Sequence, residues 1–173
     1  MSGSAAQLYT EDFVRWTEQQ AGALREAAGA GTNLALDWEN LAEEIESLGR
    51  SQRHELRSRI AAIIEHLLKL EHSPALDPRR GWMDTVARER SDVERLIEDS
   101  PSLKGDVARM IVDETSRAVR NATRALLRHR EGSPETVAGL KAARYTEDQV
   151  LGDWFPGDAT PLSADEERGE EPA

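Results

Sequence analysis

Four ionisable side chains of this sequence fall on helical stripes that otherwise hold apolar residues: Glu44, His66, Glu89 and Glu114. On a wheel turning about 100° per residue and zeroed at Leu41, His66 lies at about −20° and Glu44 at about −60°. Glu39, Glu43 and Glu46 lie on the opposite side. Glu89 falls between Val86 and Val93, and Glu114 falls among Val107, Ile111 and Ala118, on a stripe shared with Asn121 and His129. A neutral imidazole with carboxylates would suit zinc, iron or manganese, or general acid–base work inside a bundle. The spacing argues against a metal: neither Glu-x-x-His nor His-x-x-x-His occurs in the chain. No metal or other cofactor is predicted, and no catalytic residue is assigned. The favoured alternative is a buried network in which arginines such as Arg90 pair with Glu89 and Glu114 and fix helix register.

A second constellation is basic. Arg117, Arg120, Arg124 and Arg128 recur at helical spacing and make a stripe that could follow a phosphate backbone or meet an acidic partner protein. Such a stripe is more commonly a solvated face that complements its helix C-terminus. No aromatic residues interleave it. Trp154-Phe155 reads as a clamp docking the C-terminus on the bundle, or, if exposed, as a protein contact.

These groups need helices to place them, and the periodicity supplies four long ones. The first runs from Thr10, its cap, to about Ala28, with Phe13, Trp16, Gln20, Leu24 and Ala27 inside. The second starts at the cap Asp37 and shows Trp38, Leu41, Ile45 and Leu48, then Leu56, Ile60, Ile63, Leu67 and Leu70. Gly49 interrupts it, so either the helix bends there or two helices abut, and one long helix is the favoured reading. Glu46→Arg50 and Glu55→Arg59 are supporting pairs in the favoured order. Two prolines in Ser73–Pro78 make a loop. A third helix spans about Gly81 to Glu98. A fourth opens at Ser100-Pro101 and continues to about Arg130. Short helices follow to about Ala143 and around Glu147–Leu151.

Composition agrees with this layout. Aromatics are 5% of 173 residues, which leaves the core to Leu, Ile, Val and Ala, as in helical bundles. Net charge is −11; from Gly157 to the end six acids face one base, a net −5, so the rest holds −6. That balance repels phosphate backbones and anionic membranes. There is no cysteine, hence no disulfide or thiolate site. No secretory leader or spanning segment is visible, and the cytoplasm is the expected compartment.

The block Asp37-Trp38-Glu39-Asn40-Leu41-Ala42-Glu43-Glu44-Ile45-Glu46-Ser47-Leu48-Gly49-Arg50 resembles the signature of a bacterial family known as domain-of-unknown-function family twenty-nine. The likeness continues through His66-Leu67-Leu68-Lys69, Trp82, Arg90 and Ser100-Pro101-Ser102-Leu103. It returns in Tyr145 to Leu151 and Trp154-Phe155-Pro156, covering about Leu8 to Pro156. After Lys69 the sequence departs from the family's aromatic and glutamine-rich pattern. The resemblance implies a small helical bundle and no mechanism.

The expectation is an all-α bundle of four main helices with short C-terminal helices, as one domain over residues 9–156. A flexible start (1–8) and a disordered acidic tail (157–173) flank it. The function expected is a non-enzymatic protein-interaction or regulatory module that binds a protein partner or a second copy. An enzyme centred on His66 is the alternative, and a nucleic-acid accessory is the least favoured.

Overall fold

The computed structural model describes residues 5–31, 34–129 and 133–157. Among the described residues seven α-helices follow in order: α1 (Ala5–Glu11), α2 (Phe13–Gly29), α3 (Trp38–His72), α4 (Arg79–Asp99), α5 (Val107–Arg128), α6 (Pro134–Ala142) and α7 (Glu147–Leu151). A 3-10 helix, Pro101–Asp106, joins α4 to α5. No strand occurs among the described residues. The acidic tail expected from residue 157 lies, from 158 on, outside the described residues.

The central helix α3 is continuous over 35 residues, about 52 Å long. It packs against α2 early in its length and against α4 and α5 later. Its buried seam follows a seven-residue repeat, Ala42, Gly49, Leu56, Ile63 and Leu70, with Ile60 and Leu67 between. At Gly49 the helix continues unbroken, and the glycine makes a close contact. A Cβ built on Gly49 would lie 2.3 Å from Thr17 Oγ1, which itself donates to Val14 O at 2.7 Å. Glycine is there because α2 leaves no room for a side chain.

That contact shifts the stripes expected from sequence. The seam of α2 is Val14, Thr17 and Ala21, one residue beyond Phe13, Trp16 and Gln20. On α3 the buried positions are Ala42 and Gly49, while Leu41 and Leu48 are 41% and 44% exposed. Small residues win the contact because they let the backbones approach. The larger apolar side chains are left flanking it.

The expected first helix is two. Asp12 divides α1 from α2 and caps α2 through Arg15 N at 3.0 Å; Thr10 donates to Gln7 O and caps nothing. Asp12 also accepts from Ser102 N and Ser102 Oγ, both at 2.9 Å, in the first turn of the 3-10 helix. In return Ser100 Oγ accepts from Val14 N at 3.3 Å. Each helix start thus supplies acceptors for the other's orphan N–H groups. The expected fourth helix accordingly begins as a 3-10 turn and becomes α-helical at Val107.

Candidate functional site

The three candidate acids and the imidazole do not converge on one site among the described residues. Glu44 is exposed, and it stands 22 residues before His66 on the same unbroken helix, about 33 Å away along the axis. A wheel records angle and not height, and its zero at Leu41 sat beside the true seam. Among the described residues no group of three or more His, Asp or Glu is placed to hold a metal ion. Asn121 and His129, expected inward, are exposed.

Two of the others, Glu114 and Glu89, are drawn into separate ion pairs with arginines. Glu114 is 3% exposed, and its carboxylate faces Arg57 Nε at 3.6 Å and Arg117 Nη1 at 3.4 Å. Glu89 receives Arg59 Nη1 at 2.9 Å, and the same guanidinium holds Asp92 and, at 2.7 Å, Glu55. Those carboxylates keep Arg59 more firmly protonated than usual, the Glu55 hydrogen bond contributing most. The arginines that do this pairing are Arg57 and Arg59 of α3, Arg88 of α4 and Arg117 of α5, from among the other arginines the sequence reading allowed beside Arg90. His66 is half-buried; burial is the main influence holding it below the ordinary histidine value of 6.5, with Lys69 acting in the same direction. Its Nδ1 is buried without a hydrogen-bond partner among the described residues.

Arg90 fastens the C-terminal segment. Its Nε donates to Val150 O at 2.9 Å, and its Nη2 to Gln149 O and Trp154 O at 2.9 and 2.7 Å. Its guanidinium also lies 4.9 Å from the centre of the Phe155 ring. Burial lowers its pKa, opposed by Asp153. Trp154 and Phe155 are half-buried and pack against the core. Nothing in the sequence marks this cation as a carbonyl clamp, because its acceptors are backbone atoms about sixty residues away.

The basic stripe is divided by the fold. Arg117 turns to Glu114, Arg124 and Arg128 are exposed, and Arg120 enters a cleft of about 440 Å³ between α5 and the α6–α7 region. Ile111, Val112 and Val119 provide its apolar lining, and Lys141 and Arg144 join Arg120 as its cations. No carboxylate belongs to that lining. Lys141 and Arg144 escaped the sequence reading because they stand outside the periodic stripe of α5 and nothing in their spacing ties them to Arg120. On the opposite side of Tyr145, its hydroxyl donates to Glu71 Oε2 at 2.9 Å, and burial raises its pKa.

The fold defines a small all-helical bundle protein. The chain belongs to the family described as domain of unknown function DUF29, whose model matches residues 8–155. It is similar, at 25% identity, to the crystal structure of an alpha-helical protein of unknown function from Rhodospirillum rubrum. That similarity covers 88% of this chain and 92% of the other, with a TM-score of 0.68. No curated protein matches the chain. The family resemblance read from the Asp37–Arg50 block and the all-helical class are both shown. Among the described residues no helix is long and apolar enough to cross a membrane.

Proposed function

We propose that this chain is a non-enzymatic interaction module that receives an acidic segment of a partner protein in the cleft between α5 and α6. One observation carries the reading: three cations, Arg120, Lys141 and Arg144, gather around an apolar floor in a chain of net charge −11. Among the described residues neither Arg120 nor Lys141 has an ion-pair partner, and Arg144 reaches only backbone oxygens of Lys141 and Ala143. Uncompensated cations beside apolar surface suit a ligand that brings both carboxylates and an apolar anchor. Val112, 72% exposed at the lip, extends that floor to the surface.

The test is binding of a fluorescent peptide with one leucine flanked by glutamates to the full chain, at two ionic strengths. Binding that weakens with salt and falls at least about tenfold in an Arg120→Ser, Lys141→Ser double variant supports the reading. Arg124→Ser, outside the cleft, leaves it unchanged. Absence of binding, or equal loss from Arg124→Ser, refutes the cleft as the site.

The exposure of Arg124 and Arg128 beyond the cleft also supports a nucleic-acid reading. It predicts a salt-steep affinity for duplex DNA or RNA that depends on those two residues and tolerates loss of Lys141.

A further inference from the structure

Helix α4 runs antiparallel to α3, with Glu89 and Asp92 at the level of Arg59. Its last residue, Asp99, therefore ends near the level of Gly49. A second marker agrees: Val14 O lies 3.7 Å from the Cβ position of Gly49, and Val14 N is bonded to Ser100, the residue after α4. The Trp38–Leu48 turns of α3 consequently project beyond α4 and pair with α2 in a two-helix hairpin.

The two flanks of that hairpin differ in chemistry. Ion pairs lace one of them: Arg25 to Glu46 at 2.7 Å, and Arg53 to Glu18. Positions 46 and 53 lie on one side of the Ala42–Gly49 seam, so Leu41, Ile45 and Leu48 lie on the other. By the same geometry Phe13, Trp16 and Leu24 occupy that other flank of α2. Tyr9 extends it, with its ring 5.7 Å from Phe13 and 4.8 Å from Trp16. Tyr9, Leu41 and Leu48 are exposed, and none of these residues belongs to the main core or the set packed on it. They are the same stripes whose period in the sequence calls for burial, which the described fold of one chain covers only in part.

Charge along the rim distinguishes among occupants. Asp37 and Glu44 stand on the outer edge of this flank, and the Trp38–Leu48 turns of α3 hold neither Lys nor Arg. Asp37 caps α3 through Asn40, whereas the exposed Glu44 carboxylate has no ion-pair partner among the described residues. A second copy would bring the same acids to the same edge. A cationic edge on the incoming element would be complementary.

We propose that this flank receives an amphipathic helix of about three turns from a partner protein, lying where α4 would lie if it were longer. The incoming helix places an apolar stripe on Phe13, Trp16, Leu41 and Leu48, and lysines or arginines along the edge at Glu44. This surface is separate from the basic cleft and stands or falls independently of it.

The experiment uses the full chain and a labelled helical leucine–lysine peptide of about twelve residues, with a leucine–glutamate counterpart as control. Fluorescence anisotropy should show the lysine peptide binding at least about tenfold more tightly than the glutamate one. Leu48→Ser and Glu44→Lys, both at exposed positions, should each weaken the lysine peptide by a similar factor, with circular dichroism confirming an unchanged fold. No binding, or binding indifferent to both variants, overturns the proposal. So does sedimentation showing a dimer that Leu48→Ser dissociates, since the face would then belong to a second copy.

Discussion

His66 shows what a half-buried imidazole does when it has no acceptor for Nδ1. Burial holds its pKa below 6.5, so the unfolded chain takes up the proton first as pH falls. The neutral ring's contribution to stability is therefore complete above about pH 6.5 and is lost as pH falls through the lower, folded-state value. Urea unfolding at pH 7 and pH 5.5 should show this chain losing more stability than a His66→Gln variant. Equal losses would remove His66 from the explanation. The helical wheel finds Glu114 and, in part, Glu89, because both lie on helices whose seams it places correctly. It misplaces Glu44, since the seam of α3 runs through Ala42 and Gly49, positions that carry almost no hydrophobic signal.

Helix contacts in this molecule are set by small residues as much as by large ones. Gly49 is the sharpest case. An alanine in a helix is ordinarily favoured over glycine by about 1 kcal/mol, but here its Cβ would meet Thr17 Oγ1 at 2.3 Å. Gly49→Ala should destabilise the fold by about 1–3 kcal/mol, the usual range for overpacking. In a Thr17→Ala background the nearest atom recedes to 3.5 Å, so the same change should become neutral or stabilising. A double-mutant cycle by chemical denaturation reads the sign reversal. Helix type, the long α3 and the short α7 were legible from periodicity and caps. The partition at Asp12 was not, because a residue in an acidic first turn and an interrupting cap look alike until the partner Ser102 is in place.

At the scale of the whole molecule, two joints connect segments distant in sequence. Arg90 ties α4 to the C-terminal stretch through three carbonyl oxygens. Arg90→Met keeps the stem and removes the donors, so hydrogen exchange should quicken through Glu147–Phe155 while the amides of Ile60–Leu68 in α3 keep their protection. Quickening of both regions alike would mean that Arg90 supports the entire fold. The other joint is the reciprocal capping of Asp12 with Ser102 and of Val14 with Ser100, across separations of 90 and 86 residues. Neither helix start is complete until the chain has brought both together, so the loop-closure entropy between them is met before either cap contributes. The hairpin of α2 and α3 can therefore reach full stability only after the turn following α4 has formed. On a ribosome α2 emerges with only its local cap, Arg15 N on Asp12, and the N–H of Val14 waits for Ser100.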